Sequence, residues 1–288
     1  MTLPHVFQKS TSGESLYYTW FSAMHTRVDL IFISREAESF YINLTNLIHK
    51  RILEIEQIGN CFNPETEISE VNRSAYFRQV EISDEFYRIL HACLKYHSKT
   101  CGLFDITTDS KNFSSATMTQ LRLSENKQIS FARPDIYLNL SGFLKGYALE
   151  EIRPILKNSG IRNALINMGN SSVLALGHQM GHQGWAVRLQ NENEDVILND
   201  ECLTTSGNPT VQQLHIVNPL SGKFATGKRS LSVVNTNGIE GEVLSTALFL
   251  ADKLQREKIA HEFQIKRTIY SPFHPTHSNQ TVCKQAIS

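Results

Sequence analysis

Within the first sixty residues, the apolar positions change from the period of a strand to the spacing of a helix. In residues 27–34, Val28, Leu30 and Phe32 fall on one face and Ile31 on the other, which predicts a β-strand. Apolar residues then recur at helical spacing from Ala37 to about Ile58, namely Leu44, Leu47, Ile48 and Ile55. The pattern therefore predicts a strand followed by a long helix.

Three further segments have helical patterns. Residues 84–100 carry an apolar stripe, with Asp84 as the predicted N-cap and Gly102 as the stop. Residues 141–156 form the next helix, in which Pro154 predicts a kink or a later start. The last helix has the most regular stripe, formed by Leu244, Ala247, Leu248, Ala251 and Leu254.

After Gly160 the chain changes to short apolar runs separated by Gly, Asn and Asp, a spacing typical of an antiparallel sheet with tight connections. We therefore predict an α+β fold: a single large domain with a mostly antiparallel sheet flanked by helices. The predicted domain covers residues 1–288, with a core at about 18–270 and a polar, Pro-containing tail at 271–288.

Composition and charge argue against a nucleic-acid-binding, membrane-spanning or secreted protein. The 288 residues are 41% hydrophobic, enough for a sizeable core, and 28 basic residues balance 28 acidic ones. No net field favours nucleic acid or an anionic membrane, and no run of about 20 apolar residues predicts a membrane span. The five cysteines lack a paired spacing, and the first residues lack the pattern of a secretory signal. We therefore expect a cytoplasmic protein.

Six segments carry candidate chemistry. In chain order they are FSAMHT (21–26), FNPETEISEVNR (62–73), GLFDIT (102–107), LNLSGFLKGYALE (138–150), TTSGN with LHIVNPLSG (204–222), and GEVLSTALFLAD (241–252). Each is weak alone, but their order and spacing extend over nearly the whole chain. Together they resemble the FAD:protein FMN transferase family, the ApbE-like flavin transferases.

The resemblance implies an enzyme that cleaves the pyrophosphate of FAD, attaches FMN through a phosphoester to a threonine of a target protein and releases AMP, with Mg2+ required. The implied partners are FAD and an acceptor protein with a threonine flavinylation motif similar to D-G-x-[ST]-G-[AST]-[ST]. The chain itself contains no convincing acceptor segment, because NMGNSS lacks the Asp-Gly start.

The candidate metal ligands lie near the start of the last helix. Glu242 and Thr246 are four residues apart, which places both side chains on one helical face. Mg2+ prefers oxygen ligands and is commonly held by one or two carboxylates together with substrate phosphates. The resemblance adds the backbone carbonyl of Gly142 as a third protein ligand. In the alternative interpretation, Glu242 complements the helix dipole and Thr246 packs.

The resemblance makes Lys145 and His215 the catalytic candidates. A lysine ammonium neutralises charge that develops on a leaving phosphate, and a histidine suits removal of the proton from an acceptor hydroxyl. The glycines that flank Lys145, Gly142 and Gly146, are typical of close backbone approach to a ligand. The alternatives are a solvated lysine and a strand histidine held by hydrogen bonds.

The remaining site residues are implied contacts with FAD. Met24 and Phe62 match flavin-contacting positions, where a thioether and an aromatic face suit an isoalloxazine ring. Both are equally typical of an ordinary core. The other cofactor-binding candidates, beside Lys145, are Gly102, Phe104, Asp105, Asn139 and Ile216.

Several positions depart from the family pattern. Glu242 and Asn139 stand where the family has Asp, and so does Asn218. Residues 169–171 replace Gly-Gly-Asp, and His25 replaces Gly. Because Asn keeps the size of Asp but removes its charge, these changes weaken a cation site. Two alternatives to the transferase therefore stay open: an FAD-binding relative without transfer, and an FAD pyrophosphatase that yields AMP and FMN.

Overall fold

The fold was analysed in a computed structural model that describes residues 2–11, 13–189, 195–208, 214–226 and 229–272. The described part contains six α-helices. They are α1 (Glu38–Gly59), α2 (Glu67–Ser74), α3 (Asp84–Lys99), α4 (Leu144–Asn158), α5 (Gly238–Leu250) and α6 (Lys253–Glu262). None of the helices in these ranges is long and apolar enough to cross a membrane.

The strands of the described residues are all paired antiparallel. They are β1 (His5–Lys9), β2 (Ser15–Ala23), β3 (Thr26–Ser34), β4 (Val80–Glu81), β5 (Leu121–Ser124), β6 (Gln128–Phe131), β7 (Asn163–Met168), β8 (Ser172–Leu176), β9 (Trp185–Arg188), β10 (Asp195–Leu198), β11 (Glu201–Gly207), β12 (Val217–Asn218), β13 (Lys223–Phe224), β14 (Arg229–Asn235) and β15 (Arg267–Pro272).

One sheet of eight strands organises the molecule, in the order β1-β2-β3-β7-β8-β11-β14-β15. Alternate side chains of its strands enter two different cores. Leu30 and Leu174 belong to the core that also contains residues of α1, α3 and α4, whereas Ile31 and Val173 pack against the β9–β10 hairpin. The α+β prediction is confirmed: a large antiparallel sheet is flanked by helices.

The predicted strand at 27–34 is confirmed as β3 and the helix at 37–58 as α1. One member of the α1 stripe was wrong, because Leu47 is 51% exposed. The predicted helix at 84–100 is α3, but its N-cap is Ser83 rather than Asp84. The Ser83 hydroxyl accepts a hydrogen bond from the backbone N–H of Phe86.

The last predicted helix is two helices. α5 ends at Leu250, and Asp252 begins α6 with a capping box in which its side chain accepts from the Gln255 N–H and the Gln255 side chain accepts from the Asp252 N–H. Leu254 therefore lies on α6, where it is 69% exposed, and does not belong to the buried stripe of α5. Helical spacing alone does not reveal a cap that interrupts it.

Other boundaries also differ from the prediction. α4 begins at Leu144, three residues later than predicted, and contains Pro154 near its C-terminal end. The run at 214–217 is not a full strand, because only Val217 of it joins β12. The predicted loose tail at 271–288 lies mostly outside the described residues, and its first two residues form the end of β15.

Helices α4 and α5 touch through glycine. A Cβ added to Gly146 of α4 would lie 2.6 Å from Cγ of Glu242 and closer still to the carbonyl oxygen of Gly238, both on α5. Gly146 is buried by this helix contact, so its glycine does not serve approach to a ligand as the sequence suggested. Gly142, by contrast, has nothing within 4 Å of an added Cβ.

We predict that Gly146→Ala destabilises the fold by about 1–3 kcal/mol, because the new methyl group overpacks a contact between two backbones. Chemical denaturation measures this change. The matched control is Gly142→Ala, for which we expect less than about 1 kcal/mol because its surroundings are open. Equal effects of the two substitutions would contradict the close packing of α4 on α5.

Candidate functional site

A cleft of about 1180 Å³ lies where several elements end. Its walls include the start of α4, the turn between β7 and β8, the end of β11 and the start of β12. The cleft also has an apolar part, formed by Val173 and Leu203 of the sheet and by Val187 and Leu189 at the β9–β10 hairpin. Charged and apolar groups therefore share one concave site, as is common for small-molecule binding.

Most of the candidate site residues predicted from the sequence line this cleft. Those that line it are Phe104, Asp105, Asn139, Gly142, Lys145, His215, Ile216, Glu242 and Thr246. Met24, Phe62 and Gly102 are not among its lining residues. Segments that are separated by more than a hundred positions in the chain thus meet in one place.

Glu242 is a buried carboxylate among the residues that line the cleft. It is 5% exposed, and its carboxylate accepts a hydrogen bond from the hydroxyl of Ser172 on β8. Burial raises the pKa of Glu242 above its ordinary value, while the positive charge of Lys145 and the Ser172 hydrogen bond oppose this effect. Burial therefore disfavours the ionised carboxylate, whereas the Lys145 cation and the Ser172 hydroxyl favour it.

The other groups near α4 and α5 are polar and partly accessible. Lys145 is in the first turn of α4, where the backbone N–H groups and the helix dipole favour an anion. Thr246 is half-buried on α5 and its hydroxyl is 3.0 Å from that of Ser206 on β11. His215 is exposed, lines the same cleft and lies two residues before β12.

Asp105 has a carboxylate that is buried and hydrogen-bonded through one of its two oxygens. Its side chain is fully buried, and one oxygen accepts from the N–H and hydroxyl of Thr107 at 2.7 and 2.6 Å. The other oxygen has no hydrogen-bond partner among the described residues and lies 3.7 Å from Nδ1 of His97. Burial raises the pKa of Asp105, and the hydrogen bonds from Thr107 reduce that rise.

Asn139 is paired with a carboxylate that sequence reasoning missed. Its side-chain amide donates to Asp109 at 2.7 Å, and its side-chain oxygen accepts from the N–H of Ser141 at 2.8 Å. Asp109 also lines the cleft, so a negative charge stands beside the position where the family's Asp is replaced. Asp109 begins the polar stretch DSKNFSSATMTQ, and no motif or spacing in that stretch distinguishes it.

Asn218 has a structural role that does not need a charge. Its side-chain oxygen accepts from the N–H of Leu220 at 2.9 Å, and its carbonyl accepts from the N–H of Gly222 at 2.8 Å. These bonds form the turn between β12 and β13, and an amide oxygen serves there as well as a carboxylate does.

The candidates outside the cleft have other positions. Met24 is half-buried against the core in the turn between β2 and β3, and Phe62 is 66% exposed beside the ring of His25. Gly102 lies at the end of α3, where its φ of 79° and its N–H bond to the carbonyl of His97 terminate the helix.

Comparison with known proteins gives this cleft its context. A profile of the ApbE family matches residues 24–269. The chain belongs to the ApbE family. The match includes all the segments that meet in the cleft, from Leu103 to Thr246.

The relatives that match this chain in sequence are named FAD:protein FMN transferases. An FAD:protein FMN transferase of Chlamydia muridarum is 26% identical over 227 residues, which cover 67% of this chain and 71% of the relative. An FAD:protein FMN transferase of Buchnera aphidicola subsp. Baizongia pistaciae is 23% identical over 260 residues, which cover 76% of each chain.

Solved structures share the fold. The flavin transferase ApbE from Vibrio cholerae superposes with a TM-score of 0.75 at 16% identity and covers 93% of this chain and 94% of its own. The apo flavinyl transferase ApbE from Pseudomonas stutzeri gives a TM-score of 0.76 at 14% identity, with 95% and 94% covered.

The turn at Met24 and His25 explains one departure of this ApbE-family chain. Both residues have positive φ, 51° and 57°, in the two-residue connection between β2 and β3. Glycine adopts this conformation without strain, which fits the Gly that the sequence resemblance implies where His25 stands. The imidazole of His25 instead contacts the side-chain oxygen of Asn60 at 3.2 Å.

We predict that His25→Gly is more stable than His25→Ala by about 1 kcal/mol, because only glycine removes the strain of a left-handed backbone. Both variants lack the imidazole, so their difference isolates the backbone. Thermal unfolding of the pair measures it, and an Ala variant as stable as the Gly variant would contradict a strained turn.

Proposed function

We propose that this protein is an FAD:protein FMN transferase which uses Mg2+, transfers FMN from FAD to a threonine hydroxyl of an acceptor protein and releases AMP. The chain is an enzyme of the flavin-transferase class, because its family and the relatives described above are flavin transferases. One observation supports the fuller proposal most strongly. Lys145, His215, Glu242 and Thr246, from three distant segments, line a single cleft.

The first turn of α4 suits the diphosphate of FAD. Lys145 and the backbone at Gly142 both line the cleft there, and Gly142 leaves open space for a ligand to approach the backbone. The Lys145 ammonium and the helix N-terminus attract the same negative charge. When the P–O bond between the FMN phosphorus and the bridging oxygen breaks, the charge that develops on the AMP phosphate is neutralised by these groups.

His215 is the group proposed to remove the proton. The acceptor hydroxyl oxygen attacks the phosphorus of the FMN half, forming a P–O bond while the P–O bond to AMP breaks. The hydroxyl proton passes to His215, and AMP leaves with the bridging oxygen. His215 is exposed at the wall of the cleft, so a segment of another protein has access to it.

The oxygen groups beside α5 fit Mg2+. Glu242 supplies a buried carboxylate, Thr246 a hydroxyl and Gly142 a carbonyl, and all are hard oxygen donors. Within the described ranges no group of three or more His, Cys, Asp and Glu side chains forms a complete protein cage. Mg2+ is usually held by few carboxylates together with substrate phosphates, and when bound here it would neutralise charge on the phosphate oxygens.

We predict that His215→Ala and Thr246→Ala each lower FMN transfer by about 100-fold or more, the usual contribution of a general base or a phosphate-charge stabiliser. The assay incubates protein, FAD, Mg2+ and an acceptor bearing the flavinylation motif, and measures covalent flavin on the acceptor. Matched controls are His261→Ala on α6 and Thr119→Ala, two exposed residues outside the cleft.

The same assay distinguishes the alternatives by product. Covalent flavin on the acceptor supports transfer, AMP with free FMN supports hydrolysis by water, and intact FAD retained by the protein supports binding alone. Unchanged transfer in both His215→Ala and Thr246→Ala would overturn the site assignment.

We also predict that removal of divalent cations abolishes transfer. Treatment with EDTA should lower the rate to background, and added Mg2+ should restore it, because the cleft supplies few protein charges to a diphosphate. The same buffer with Mg2+ and without EDTA is the control. Full transfer in EDTA would contradict the Mg2+ requirement.

A further inference from the structure

The two candidate side-chain ligands of α5 each contact a serine of the sheet. Ser172 on β8 donates to the carboxylate of Glu242, and Ser206 on β11 lies 3.0 Å from the hydroxyl of Thr246. We propose that Ser172 and Ser206 are positioning residues that hold these two ligand groups with their lone pairs towards the cleft. The proposal rests on the function proposed above and assigns roles to two further residues.

The contact of Ser172 is fully enclosed. Ser172 has no exposed surface, and Glu242 is buried against it. A hydroxyl can donate one hydrogen bond, and Ser172 donates it to one oxygen of the Glu242 carboxylate. The bond therefore fixes the rotation of the carboxylate and counters the cost of its burial.

The contact of Ser206 sets the direction of the Thr246 hydroxyl. Ser245 donates to the backbone carbonyl of Glu242 at 3.0 Å, which uses its single proton. Ser206, 2.8 Å from Ser245, must then donate to Ser245, and Thr246 must donate to Ser206. The lone pairs of Thr246 are left free to face the cleft, which is the orientation that a cation ligand requires.

The two serines lie on the same face of two neighbouring strands. Ser172 is directly opposite Thr204 in the β8–β11 pair, and Ser206 lies two residues beyond Thr204 on the same face. Two residues of a strand span about 6.8 Å. Glu242 and Thr246 are four residues apart on α5, about 6 Å along the helix axis. The two serines are thus offset by two residues along neighbouring strands, and each hydroxyl contacts one ligand group of α5.

Binding of Mg2+ tests this proposal without turnover of FAD. Mg2+ is titrated into the protein at a fixed concentration of ADP, which shares the adenosine and diphosphate of FAD, and the dissociation constant is measured by calorimetry. We expect Ser172→Ala and Ser206→Ala each to weaken Mg2+ binding by about 10- to 100-fold, as loss of a partner of a metal ligand does.

Two controls separate positioning from general stability. Ser69→Ala removes another buried serine hydroxyl, in α2 and outside the cleft, and should leave the Mg2+ affinity unchanged. Ser206→Thr keeps a hydroxyl and should restore the affinity that Ser206→Ala loses. Thermal unfolding without Mg2+ verifies that each variant is folded.

A double substitution provides the decisive comparison. If Ser206 acts through Thr246, then Ser206→Ala has no further effect on Mg2+ affinity in a Thr246→Ala background. Wild-type affinity in both folded serine variants, or an equal loss with and without Thr246, would overturn the positioning roles alone. Failure of the wild type to bind Mg2+ with ADP would overturn the metal requirement of the proposed function as well.

Discussion

The structure depends on the close packing of α5 between α4 and the sheet. Gly146 lets α4 touch α5 at Gly238, and a Cβ at Gly241 would lie 2.7 Å from the hydroxyl oxygen of Thr204 on β11. The Glu150 carboxylate fixes the start of α5 by accepting from the N–H of Gly238 at 2.8 Å. This packing brings Lys145 of α4 close enough to Glu242 of α5 for its charge to act on that carboxylate.

Local patterns predicted the elements that pack and pair regularly. The alternation in residues 27–34 and the helical spacing in α1 and α3 follow from which side faces the core, so sequence alone revealed them. The errors arose at interruptions. The capping box at Asp252 divides a continuous apolar pattern, and Pro154 is tolerated inside α4. The aromatic-rich β2 was also missed from the sequence.

The order of the six segments along the chain predicted the site. The hydrogen-bond partners of its residues became visible only in the folded structure. The four-residue spacing predicted that Glu242 and Thr246 share one helical face. The family resemblance implied that Lys145 and His215 belong to the same site. The hydroxyl of Ser172 lies seventy positions from Glu242, and Asp109 lies thirty positions from Asn139. Such contacts are set by strand register and helix packing, for which a single sequence gives no signal.

A crystal structure of the protein with ADP and Mg2+ tests the central claim most directly. The account predicts the diphosphate at the first turn of α4 beside Lys145, and a cation bound by oxygens of Glu242 and Thr246. Nucleotide bound away from this cleft, or a cation that contacts neither side chain, would contradict it.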